Sequence, residues 1–243
     1  MKKGIKRLLA AVFAAVMVIT ILPAKPVEAA SLSYPKKITM YQDSAWITSR
    51  IEILGLKTGT KIKSVKSSNR DVVGVEDVFY HSWYDDEAKK EMYGCNIELQ
   101  TRSVGTANVT YKINGKTKTT KVTVKPYENP VKKATIFGIK EKNSTNLAQL
   151  TAKRGSVWLN APSKQASKKI YIQPAKNWKV QEINWWAPDE MDFGGGRWYD
   201  KPKSSVSMNV TLPKGDTRYY IDVDFYNTKT KAHKLVRYTI VCD

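Results

Sequence analysis

The sequence predicts an all-β protein: two β-sandwiches in tandem behind a cleaved N-terminal segment. Strand-length runs of alternating apolar and polar residues recur at short intervals between turn residues, and no long segment carries a 3.6-residue period. Gly105–Val124 (GTANVTYKINGKTKTTKVTV) encodes a hairpin about Asn114-Gly115, the preferred pair for a type I′ turn because both central residues take positive φ. Its register follows from the two-residue loop. Ile113 faces Lys116, Tyr111 faces Lys118, Val109 faces Thr120 and Ala107 faces Val122. Ala107, Val109, Tyr111 and Ile113 then share a face with Val122 and Val124, so one side of the hairpin is built for burial. Finally, Lys125-Pro126-Tyr127-Glu128-Asn129-Pro130 places two prolines between two halves of similar style.

The first 30 residues read as a secretory signal. Lys2, Lys3, Lys6 and Arg7 precede an apolar run from Leu8 to Leu22, broken by Pro23, and Val27-Glu28-Ala29 fits a cleavage site with the cut after Ala29. The run is shorter than the roughly 20 residues of a membrane span, and no second run of this kind follows. With no cysteine beside the cut and no sortase-type sorting tail at Tyr238–Asp243, the mature protein is expected to be secreted. It would be released, or held at the cell wall without a covalent bond.

In the first half, strands are predicted at Lys37–Tyr41, Ala45–Ile53, Lys61–Ser67, Val72–Val75, Asn96–Gln100, Ala107–Ile113 and Thr119–Val124. In the second half they fall at Ser156–Leu159, Lys169–Ile172, Lys179–Trp185, Ser205–Leu212, Arg218–Tyr226 and Leu235–Val241. Tyr219, Ile221, Val223 and Phe225 alternate with Tyr220, Asp222, Asp224 and Tyr226, giving one buried and one wet face. Short strands at this spacing point to immunoglobulin-like sandwiches. The expected division is a signal at 1–30, a first domain at 31–126, a linker at 127–130 and a second domain at 131–243.

The chain is strongly basic, with a formal charge of +19, of which the first 30 residues carry +4, leaving +15 on the mature protein. Residues 31–130 carry +5 and residues 131–243 carry +10. Such a charge favours encounter with polyanions, and outside a bacterial cell these are wall polymers, anionic lipid or acidic glycans rather than nucleic acid. A lysine-rich solvated surface is the plainer alternative. The two cysteines, Cys95 and Cys242, both fall on predicted core faces. Two buried thiols are expected, with a bridge between the halves as the alternative.

Residues 36–124 resemble the bacterial immunoglobulin-like domain of group 2, found in invasin and intimin stalks and in many Gram-positive surface proteins. The resemblance rests on Lys37-Ile38-Thr39-Met40, on Ser67-Ser68-Asn69-Arg70-Asp71-Val72-Val73-Gly74-Val75, and on Gly105-Thr106-Ala107-Asn108-Val109-Thr110 running to Lys121-Val122-Thr123-Val124. The segment between Val75 and Asn96 is longer than family members usually show. The resemblance implies a spacer or adhesive module and no catalytic residue. The second half is similar to such sandwiches only in general plan.

Two constellations are candidates for binding. Glu76–Gly94 gathers Phe79, Tyr80, His81, Trp83 and Tyr84 ahead of Asp85-Asp86-Glu87. It reads as a long hairpin whose aromatics cover the sandwich edge, or as a partner-binding loop. Its acids match no EF-hand spacing. The second runs from Trp178 to Tyr199 and holds Trp185, Trp186, Asp189, Glu190, Asp192, Phe193, Gly194-Gly195-Gly196, Arg197, Trp198 and Tyr199. Adjacent tryptophans on a strand point to opposite faces, so one of Trp185 and Trp186 enters the core and the other stays outside. The three glycines read as mobile or closely approached backbone. Structural packing is the competing reading for both.

Candidate ligand-binding residues are thus Trp185, Trp186, Phe193, Arg197, Trp198, Tyr199, Tyr80, Trp83 and Tyr84. No catalytic or metal-binding residue and no cofactor is expected. The glycines match no phosphate loop, and no cysteine sits near His81 or His233 in sequence to complete a zinc signature. The functional expectation is non-catalytic binding or adhesion at the cell surface. The partners would be a wall polyanion or glycan, or a surface protein. A carbohydrate-binding module is the alternative. A glycoside hydrolase using Asp189, Glu190 and Asp192 comes third.

Overall fold

The computed structural model describes residues 32–43, 49–86, 89–161, 169–187, 194–210 and 218–242. The signal segment and Ala45–Thr48 lie outside the described residues. The fold is all-β: two Ig-like sandwiches in tandem, each with its own hydrophobic cluster.

The first sandwich contains β1 (Lys37–Tyr41), β2 (Ser49–Leu56), β3 (Lys63–Ser67), β4 (Val73–Asp85), β5 (Lys90–Thr101), β6 (Gly105–Ile113) and β7 (Lys116–Lys125). One sheet runs β1-β7-β6-β3 and the other β2-β5-β4. The β6–β7 hairpin has the register read from sequence, pair for pair, about Asn114 (φ 49) and Gly115 (φ 76). Its inner residues Ala107, Val109, Tyr111, Ile113, Val122 and Val124 are buried against Ile51, Ile53, Cys95, Ile97 and Leu99. Tyr111 donates its hydroxyl proton to Thr120 (3.1 Å), because Thr120 itself donates to the carbonyl of Pro35 (2.7 Å). That chain satisfies the polar atoms of a buried tyrosine.

The long segment after Val75 is continuous strand. β4 and β5 pair from Val73↔Thr101 out to Asp85↔Lys90, with one irregularity between Val75 and Asp77. The predicted strands at 72–75 and 96–100 are only the roots of this hairpin. Residues 76–85 lack proline and glycine and are rich in β-formers, so the ladder runs on.

The second sandwich contains β8 (Val131–Ile136), β9 (Ser156–Ala161), β10 (Lys169–Pro174), β11 (Trp178–Trp186), β12 (Gly194–Lys203), β13 (Val206–Asn209), β14 (Arg218–Asn227) and β15 (His233–Cys242). Its sheets run β13-β10-β8 and β12-β11-β14-β15-β9. In each sandwich an early strand joins the last strand in parallel, β1 with β7 and β9 with β15. β8 was not foreseen as a strand. Ala134 and Ile136 enter the core, but Lys132 and Lys133 interrupt the apolar signal.

The two sandwiches are docked at a buried junction. Tyr41, the last residue of β1, packs in the second cluster with its ring 5.2 Å from that of Trp178, and Asn227 Nδ2 donates to its hydroxyl (3.3 Å). Asp43 and Lys234 form an ion pair at 3.3 Å with side chains only 3% and 4% exposed. The Gly155 amide donates to the other Asp43 oxygen (3.1 Å), and the Tyr127 ring caps the ammonium at 3.5 Å. Burial lowers the Lys234 pKa to about 8, although Asp43 opposes the shift. The segment expected as a linker is tied down. Tyr127 donates to the Thr151 carbonyl, Glu128 accepts from Trp178 Nε1 (2.8 Å), and Asn129 donates to the Ala148 carbonyl (3.0 Å).

Candidate functional site

The outer face of the five-stranded sheet is where exposed aromatic surface collects. Alternation turns Tyr219, Ile221, Val223 and Phe225 of β14 into the core and leaves Arg218, Tyr220, Asp222, Asp224 and Tyr226 outside. The registers align Trp186 of β11, Tyr220 of β14, Thr239 of β15 and Trp158 of β9 in one row across the sheet. Strands lie about 4.8 Å apart, so Trp186 and Trp158 start roughly 14 Å from each other. The next row is polar: Asn184, Asp222, Arg237 and Ser156. A third row holds Trp198, Glu182, Asp224 and Leu235.

The aromatic rings are held in place. Trp186 stacks on Tyr220, centroids 4.3 Å apart at 26°. Arg237 lies 5.7 Å from the Trp186 ring and 5.3 Å from the Tyr220 ring, anchored by two 2.7 Å bonds to Asp222. This bidentate pair fixes the guanidinium plane and raises the Arg237 pKa further. Arg218 sits 5.7 Å from the Trp158 ring. Asp224 is paired with His233 Nδ1 at 2.8 Å. Trp158, Trp198 and Trp186 are nevertheless 59%, 55% and 38% exposed. Antiparallel sheets often keep a polar outer face, so three tryptophans there are the unexplained feature.

The expected site residues divide between the two sandwiches. Trp185 turns inward and packs against the second core, as Tyr199 also does, while Trp186 stays outside. Trp198 is exposed opposite Glu182, and Arg197 is exposed opposite Ile183. Phe193, Asp189, Glu190 and Asp192 lie outside the described residues. The glycines, read as mobile or closely approached backbone, are of the second kind and form the first residues of β12. A Cβ on Gly195 would stand 2.3 Å from Trp185 Cζ2, so the inward tryptophan ring requires glycine across from it.

The other three belong to β4 and are on a strand rather than a loop. Tyr80 is half-buried and its hydroxyl accepts from the Ile62 amide (2.7 Å), so it pins the preceding turn. Trp83 is half-buried and stacks on His81 at 5.5 Å, while Tyr84 is exposed. The structure does not join them to Trp186 and Trp198 in one site. Packing accounts for Tyr80, as the edge-covering reading expected. Trp158, Tyr220, Asp222 and Arg237 were missed as site residues. The signal was present in the even positions of β14 and β15, but the β15–β9 pairing that adds Trp158 is parallel and not local.

Cys95 is a free, fully buried thiol, and burial raises its pKa to about 11. No helix among the described residues is long and apolar enough to cross a membrane.

No protein-family model and no curated protein matches the chain. Solved structures overlap with it weakly. They include S-layer protein SbsC domains 4 and 5 (12% identity, TM-score 0.26, covering 39% of this chain and 50% of that one). SbsC domains 5-6 overlap at 10% identity and TM-score 0.30, covering 87% of this chain and 97% of that one. The Clostridium thermocellum CbhA fibronectin(III)-like modules do so at 14% identity and TM-score 0.23, covering 88% and 94%. The chain thus spans half the length of the SbsC domain 4 and 5 chain. Overlap this low carries no argument about function. The strand order and registers by themselves define the chain as a tandem of Ig-like β-sandwiches.

Proposed function

We propose that this is a non-catalytic binding protein of the bacterial cell surface whose second sandwich holds a glycan on the outer face of its five-stranded sheet. The observation that carries the reading is the row Trp186–Tyr220–Thr239–Trp158, with exposed rings at both ends and a polar row beside it. Sugar rings offer apolar C–H faces for stacking and hydroxyls for hydrogen bonds. Flat aromatics flanked by Asn184, Asp222 and Arg237 answer both needs. The rings and the Arg237–Asp222 pair are fixed before any ligand arrives, which lowers the ordering cost of binding. The first sandwich acts as a spacer, in keeping with its resemblance to group 2 bacterial Ig-like domains. The N-terminal segment would direct the chain out of the cell.

Binding to isolated wall glycan, measured by titration, should weaken about tenfold in Trp158→Ala and again in Trp186→Ala. Phe79→Ala, an exposed aromatic of the first sandwich, should leave binding unchanged. Wild-type affinity in both tryptophan variants would refute the reading. Retained binding to a surface protein but not to glycan would replace the ligand class.

A further inference from the structure

The structure assigns a second, separate site: we propose that the first sandwich carries a groove for a linear phosphate-bearing polyanion, walled by Lys57, Lys61, Lys63 and Lys112. This goes beyond the glycan reading and concerns the other sandwich, so the two fail independently.

A groove of 580 Å³ runs between the turn at 57–61, Lys63 on β3 and the Asn114–Gly115 tip of the β6–β7 hairpin. Among the described residues the four lysines are the only charged side chains that line it. Among the described residues none of them is in an ion pair. Lys63 and Lys112 are moreover register partners, directly opposite across β3 and β6. Like charges directly opposite one another destabilise an antiparallel pair. The fold carries that cost without an internal counter-charge, and an anion seated between the strands would relieve it.

The walls are fixed. The Thr60 amide closes the turn onto the Lys57 carbonyl (3.0 Å), and the next strand entry is pinned by the bond from Ile62 to the Tyr80 hydroxyl (2.7 Å). The Lys61 ammonium sits 4.5 Å from the Tyr80 ring centroid. At the tip, Asn114 and Gly115 hold the positive-φ turn. Gly59 and Gly115 have nothing within 4 Å of the position a Cβ would take, so a polymer can approach the backbone at both walls.

The ligand chemistry follows from the donor set. Lysines act as point charges that serve a phosphate oxyanion from any direction, and no arginine among the described lining residues imposes a planar, bidentate geometry on the ligand. An open groove with charges spread along both walls fits an extended chain better than a single small ion.

The test titrates the purified protein with soluble linear polyphosphate at several salt concentrations. It compares Lys63→Gln/Lys112→Gln with Lys132→Gln/Lys140→Gln, which removes the same charge from exposed positions of the second sandwich. The groove variant should lose at least tenfold in affinity, and the slope of log K against log salt should fall by about 1.4, as for two fewer neutralised phosphates on a flexible strand. Its thermal midpoint without polyphosphate should match or exceed the wild type, which separates lost binding from lost folding. Equal losses in both variants would mean that net charge alone acts, and would overturn the groove. Polyglutamate of equal length binding the wild type as tightly would overturn the phosphate assignment.

Discussion

Replacing Asp43 with asparagine should loosen the docking of the two sandwiches far more at pH 7 than at pH 9.5. Asp43 and Lys234 lie 3.3 Å apart, with side chains 3% and 4% exposed. At an effective dielectric of about 20 their attraction is about 5 kcal/mol. Burial outweighs it, because the Lys234 pKa is held at about 8 rather than 10.5. That shift disfavours the folded ammonium by about 3 kcal/mol. An unfolded chain keeps the proton up to its ordinary pKa, whereas the folded chain releases it near pH 8. Between these limits the unfolded state binds more protons, so this group makes stability rise with pH, by about 3 kcal/mol over the whole window. Below pH 8 the amine is charged in both states and adds no slope. Asp43→Asn removes the counter-charge and should cost about 3–5 kcal/mol at pH 7. The deficit should shrink as the amine deprotonates. Lys234→Met combined with Asp43→Asn should recover most of that loss, since no charge is then stranded and the asparagine Oδ1 still accepts from the Gly155 amide. Urea unfolding followed by tryptophan emission reads this directly, with Trp178 at the junction as a reporter. A loss under about 1 kcal/mol in Asp43→Asn, or the same loss at both pH values, would refute the reasoning.

Gly195→Ala places a Cβ 2.3 Å from Trp185 Cζ2, and overpacking of this kind should cost about 1–3 kcal/mol in equilibrium unfolding. A wild-type midpoint would show that Trp185 is not held where the sheet places it. Cys95 should resist thiol reagents in a Cys242→Ser background until the first sandwich opens, with labelling that rises in urea; fast labelling in buffer would contradict its burial. Its raised pKa, about 11 against 9, has the opposite sign to Lys234. The unfolded thiol ionises first, so stability falls by about 3 kcal/mol between pH 9 and 11, and Cys95→Val should abolish that loss.

The β6–β7 hairpin was legible to the residue because its information is local: a turn pair that sets a two-residue loop, and a period of two on either side. The strands of β14 and β15 were legible for the same reason. β12 was hidden as a strand because three glycines carry no alternating pattern, and which of them is closely approached depends on the Trp185 ring across the ladder. The candidate site was half visible. Trp186 and Trp198 could be singled out as aromatics near a turn, and the opposite facing of Trp185 and Trp186 followed from strand geometry alone. Tyr80, Trp83 and Tyr84 drew attention for composition and sit on the first sandwich, with Tyr80 engaged in packing.

The sequence by itself determined the all-β class, the inner and outer faces of the strands with a clear alternation and the basic character of the chain, since all three depend on neighbouring residues or on plain counting. Tertiary structure decided what those faces meet. The parallel pairing of β9 with β15 brought Trp158 into line with Trp186, and the β3–β6 register set Lys63 against Lys112. The docking of the halves buried Asp43 with Lys234, residues far apart in the chain. These are contacts between distant segments, fixed by packing and register, and no local pattern encodes them.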